Sequence, residues 1–116
     1  MSIAQIIYQQ LGGNKFSVMT GSKNYLQADI TETNPNAWLR MDLTKNKSKA
    51  NRLKISLMPD DTYKMEFYSM RKKSWKQLAL DGGDLFIIGN EQTIEDVYCD
   101  QLQEIFTTVT GLYTSL

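Results

Sequence analysis

Residues 44–52, TKNKSKANR, place four basic side chains in nine positions and include neither an acid nor a large apolar residue. Mobile cations at that density suit contact with phosphate, which releases counterions and makes the contact salt-dependent. Arg71, Lys72 and Lys73 form a second basic run. Carboxylates gather at Asp60-Asp61 with Glu66, and at Glu91 with Glu95-Asp96. A divalent cation needs convergent oxygen ligands. The first group spans a turn and a strand whose alternate residues diverge, and no EF-hand spacing occurs, so no metal site is expected.

Acid–base and nucleophilic chemistry finds little support. The chain has no histidine, the commonest proton-transfer group and metal ligand. Its single cysteine, Cys99, stands near Asp96 and Asp100, which disfavour a thiolate; it reads as partly buried filler beside a helix. Gly12-Gly13-Asn14-Lys15 and Thr20-Gly21-Ser22-Lys23 lack the Walker spacing of a phosphate loop. No catalytic residue, metal ligand or cofactor is assigned, and the expectation is a protein that is not an enzyme.

The elements that must position the charged groups follow from periodicity. Ser2 and Gln5 have capping-box spacing, and Ile3, Ile6, Ile7 and Leu11 recur at helical intervals, which predicts a helix over 3–11 ended by Gly12-Gly13-Asn14. A two-residue period then predicts strands at FSVM (16–19), YLQADI (25–30), WLRMDL (38–43), RLKISL (52–57), YKMEF (63–67), SWKQLAL (74–80) and DLFII (84–88). Pro59-Asp60-Asp61 and Asp81-Gly82-Gly83 supply turns. Thr93, with Asp96 three residues on, is read as the cap of a final helix bearing Ile94, Val97, Leu102, Ile105 and Val109, stopped by Gly111. Leu112, Tyr113 and Leu116 form an apolar tail.

Together these predict one α+β domain over 1–116: an N-terminal helix, a mostly antiparallel meander sheet of five to seven strands, and a C-terminal helix. Both helices should cover the apolar sheet face. At 116 residues and 41% hydrophobic content the chain can bury a core without metal or disulfide. No apolar run approaches the ~20 residues of a membrane span, and the N-terminus lacks the basic region of an export signal. The lone cysteine fits a reducing compartment.

The chain is formally neutral, yet residues 45–76 hold ten basic residues and three acids, whereas 77–116 hold seven acids and no basic residue. In a simple meander alternate turns emerge at one sheet end. Connections at 20–23, 44–51 and 71–73 would then bring together Lys23, Lys45, Lys47, Lys49, Arg71, Lys72 and Lys73, with Arg52 extending the patch along its strand. The opposite end would collect Pro59-Asp60-Asp61 and Asp81-Gly82-Gly83. The favoured function is protein–protein interaction or self-association, with Trp38 on the open sheet face, Tyr113 and Leu116 as contacts. The alternative is nucleic-acid binding by the basic end, with an enzyme of unknown type third.

LGGNKFSVMTGSKN (11–24), LMPDDTYKMEF (57–67) and DQLQEIFTTVTGLYTSL (100–116) carry a resemblance. The chain resembles a family of small uncharacterised proteins of bacteriophages and integrated mobile elements over nearly its full length. It departs from them in its longer lysine-rich connection and in the Asp81-Gly82-Gly83 stretch. The resemblance implies an accessory factor in the cytoplasm of a bacterial host and brings no reaction or catalytic residue with it.

Overall fold

Alternation of apolar and polar residues along Trp38–Asp42 and Arg52–Leu57 gives two strands that bury Leu39, Met41, Leu53 and Ile55 on one side. The computed structural model describes residues 3–28, 36–81, 83 and 86–112. In chain order the elements are α1 (Ile3–Leu11), α2 (Asn14–Thr20), β1 (Lys23–Ala28), β2 (Trp38–Asp42), β3 (Arg52–Leu57), β4 (Tyr63–Lys72), α3 (Trp75–Asp81), β5 (Phe86–Val97) and α4 (Leu102–Thr110). The fold is α+β. Five antiparallel strands lie in the order β1-β2-β3-β4-β5, the simple meander expected from the sequence.

The core fills the space between this sheet and the helices on its apolar face. Ile7 and Leu11 of α1, Phe16 of α2, and Leu102 and Phe106 of α4 meet Met41, Leu53, Ile55, Met65 and Phe67. Phe106 lies edge-on to Phe16, with ring centroids 4.9 Å apart, and is tilted against Phe67 at 6.4 Å. Polar ties fix the layers: the Tyr63 hydroxyl donates to Gln10 Oε1 (2.7 Å), and Gln103 Nε2 donates to the Gln10 carbonyl (3.2 Å).

Three elements differ from the sequence expectation. FSVM lies in helix α2, because Phe16 and Thr20, four apart, are its buried positions while Val18 is exposed. Gly13 (φ 62°) and Gly21 (φ 70°) bracket it, and the Gly21 N–H returns to the Ser17 carbonyl. SWKQLAL contributes to helix α3 instead of a strand. Ser74 accepts from the Gln77 N–H (3.3 Å) while Gln77 Oε1 accepts from the Ser74 N–H (3.2 Å), a reciprocal cap.

The third difference is the start of the last helix. Thr93 sits inside β5 opposite Glu66 and caps nothing, since Ile94 and Val97 pair with Met65 and Tyr63 on the core side. Tyr98–Gln101 then makes a turn before α4, whose Leu102, Ile105, Phe106 and Val109 keep the helical stripe. Gly111 ends it in the left-handed region, as expected. Cys99, read as partly buried, is exposed in that turn. Ser2, Tyr113, Leu116, and residues 29, 30, 82, 84 and 85 fall outside the described residues.

Candidate interaction surface

β4 and β5 run beyond the rest of the sheet. Register with β3 ends at the Arg52–Tyr68 pair, whereas β4 and β5 stay paired to Lys72–Phe86. Residues 69–72 and 86–89 are therefore a two-stranded arm, about 14 Å long at 3.4 Å per residue. The helix α3 forms its tip. The Cα radius of gyration, 15.1 Å, exceeds the roughly 13 Å of a compact chain of this length, as an arm requires.

The arm is apolar where water should meet polar groups. Trp75 is 76% exposed and Leu80 86%, and Phe86 and Ile88 are also exposed. Lys76 and Ala79 are exposed too, so α3 is turned to solvent on several sides. Arg71 and Lys72, both exposed, sit at the arm's outer end opposite Ile87 and Phe86, and Lys73 follows, half-buried. Contiguous apolar exposure rimmed by charge marks a docking surface more often than scattered exposure does.

The other predicted basic residues reach the same sheet end but serve different surroundings. The 44–51 connection is built around Asn46, whose Nδ2 donates to the Thr44 and Ala50 carbonyls (both 2.8 Å) and whose Oδ1 accepts from the Ser48 N–H and hydroxyl. Lys49 adopts φ 64° within it. Lys47 donates its N–H to the Thr110 carbonyl (3.2 Å), and its stem passes Gly111, placing a cation at the negative end of α4. Lys23, Lys45 and Lys49 are exposed. The loop is thus a built cap over Leu43 and Ala50, which are buried beneath it.

Arg52 leaves this group. It faces the open side of the sheet, where its Nε donates to Asp42 Oδ1 at 3.0 Å. On that side Trp38 is half-buried beneath Lys54 (Nζ 5.1 Å from the ring centroid), with Arg40 at 6.0 Å. A shallow hollow of about 300 Å³ opens beside them, lined in part by Arg40, Lys54, Glu66, Tyr68, Met70 and Ile88. Its charges are mixed, which distinguishes it from the basic end.

The opposite sheet end is acidic. Pro59 occupies the second position of the turn closed by the Asp61 N–H and the Met58 carbonyl (3.0 Å), as the sequence indicated. Asp60 accepts from the Thr62 hydroxyl (2.6 Å) and N–H (3.2 Å), which hold its carboxyl below the ordinary carboxylate range. A groove of about 320 Å³ runs between this turn and Glu95-Asp96, with Met58 and Pro59 on its walls. Exposed Tyr98 and Asp100 follow from β5. Among the described residues no group of three or more His, Cys, Asp or Glu is placed to hold a metal ion. Asp81 and Gly83 do not belong to this end: Asp81 closes α3, which follows the basic end of β4, and Gly83 comes after it.

Both sheet edges are irregular. β1 shifts register between Lys23 and Leu26, with Asn24 at φ 56°, and β5 shifts twice against β4, with Asn90 at φ 51° and Asp96 at φ 57°. Bulged edges oppose the addition of a further strand. No described helix is long and apolar enough to cross a membrane.

Comparison with protein-family models, curated proteins and solved structures finds no match to this chain.

Proposed function

We propose that the chain is a non-enzymatic accessory binding protein of a phage or mobile element, acting in the host cytoplasm, which engages another protein through the β4–α3–β5 arm. The observation that carries this reading is the exposure of four large apolar side chains on one arm, Trp75 and Leu80 on α3 and Phe86 and Ile88 on β5. Exposed aromatic and aliphatic side chains beside cations have the composition of an interface anchor. Burying one such side chain contributes roughly 1.5–3 kcal/mol.

Nucleic-acid binding is the second reading, supported by Arg71, Lys72 and Lys76 on the same arm. Acids on the open face, Asp42 and Glu66 among them, weigh against extending a phosphate track along the sheet. A photo-crosslinking residue at position 75, with one at exposed Val18 as control, separates the two. Protein adducts at 75 and not at 18 are expected. Adducts to nucleic acid, or none, overturn the protein-binding reading.

A further inference from the structure

We infer that the arm docks on the acidic end of a second copy of this chain, so that copies associate head to tail. The inference rests on the protein-binding reading of the arm and names its partner. Arg71, Lys72 and Lys76 are exposed at the arm's outer end with Trp75 and Leu80, and they outnumber Asp81 at the end of α3. At the other sheet end a groove is lined by Met58, Pro59, Asp60, Glu95 and Asp96, and exposed Tyr98 and Asp100 follow β5 at that end. Apolar meets apolar and the rims are of opposite charge, which steers encounter and fixes orientation.

The placement of the two surfaces decides the symmetry. They lie at opposite ends of one sheet in a molecule whose longest extent is 46 Å. A two-fold dimer joining arm to arm would oppose cation to cation, and one joining groove to groove would oppose acid to acid. Charge complementarity is met when the arm of one copy enters the groove of the next. Such a contact either repeats through the remaining arm and groove into a chain or ring, or closes at two copies when each arm enters the other's groove.

Two variants test this, both altering exposed positions: an arm variant, Trp75→Ser/Leu80→Ser, and a groove variant, Glu95→Lys/Asp100→Lys. Circular dichroism and denaturation establish that each is folded before association is read. Sedimentation velocity is run from about 5 to about 200 µM, a range that covers weak self-association. The wild type associates as concentration rises, and raising salt from about 50 to about 300 mM weakens association by about tenfold. Each variant alone is monomeric. An equimolar mixture forms a dimer and nothing larger, since one intact arm and one intact groove remain. A mixture that stays monomeric overturns the head-to-tail contact. A wild type monomeric at the highest concentration overturns self-association, while crosslinking at position 75 still reports separately on another protein partner.

Discussion

The side-chain amide of Asn51 pairs with the backbone of Met70 as a strand residue would, Nδ2 donating to the Met70 carbonyl (3.0 Å) and Oδ1 accepting the Met70 N–H (2.9 Å). The backbone register of β3 with β4 ends at Arg52–Tyr68, so this side chain extends the ladder towards the base of the arm. Arm stiffness therefore depends on a residue outside the arm. Asn51→Ala removes two hydrogen bonds worth about 1 kcal/mol each. Amide exchange should speed by roughly thirtyfold over 69–72 and 86–89, with the centre of β3 unchanged. Hydrogen-exchange mass spectrometry reads this directly; equal acceleration in β3 would show that Asn51 supports the whole sheet.

Phe106 joins helix and sheet layers through its contacts with Phe16 and Phe67. All three rings are buried, leaving little room for collapse around a truncated side chain. Phe106→Ala should destabilise the fold by about 3–5 kcal/mol, measured by urea denaturation. A loss under about 1 kcal/mol would place the energetic centre elsewhere.

Gly21 ends α2 at φ 70°, and a Cβ there would stand 2.5 Å from Thr44 Cγ2. Gly21→Ala combines a left-handed backbone penalty of about 1–2 kcal/mol with this collision. Thr44→Ser removes the offending methyl while retaining the hydroxyl that donates to the Thr20 carbonyl. The double variant should recover the collision cost and keep the backbone cost, so the two changes are non-additive in denaturation.

Burial raises the Tyr25 phenol above its ordinary 10.0, opposed by its hydrogen bond to Ser17 and reinforced by Tyr8. Burial likewise raises Tyr63, against the effect of its bond to Gln10 and with that of Cys99. A raised folded-state pKa means that the stability contributed is fully present below about pH 10 and is lost as pH climbs through the folded value. Denaturation midpoints should hold steady to about pH 9 and fall above pH 10. Tyr25→Phe and Tyr63→Phe should each flatten the alkaline decline. A wild-type midpoint that rises above pH 10 would contradict the sign.

The sheet was legible where alternation and turn chemistry agreed. Leu39, Met41, Leu53, Ile55, Met65 and Phe67 declare one buried face at a strict period of two, and Pro59 with Gly111 mark stops that the structure keeps. Strand order followed, and with it the shared end of Lys23, Lys45, Lys47, Lys49, Arg71, Lys72 and Lys73. The misread segments are those in which residue type and position disagree. Phe16, Val18 and Thr20 favour strand by type, but glycines at both ends and a buried pair four apart give a helix. In α3 the signal was present: Ser74 and Gln77 have capping-box spacing, followed by Leu and Ala. Thr93 and Asp96 imitate a helix start within β5, where cross-strand pairing with β4 prevails over local capping. The arm itself was not legible, because how far two strands outrun their neighbours depends on register.

Because the strands lie in the order in which they are synthesised, each ladder can close between segments near in sequence, at small entropic cost and at high speed. The interior cannot. Phe16 waits for Phe106, and until Leu102–Thr110 emerges the part of the sheet's oily side that α1 and α2 leave uncovered faces water. A nascent chain arrested just before that helix would hold its ladders and yet be a substrate for chaperones, which makes the last helix the step that commits the molecule to its native state.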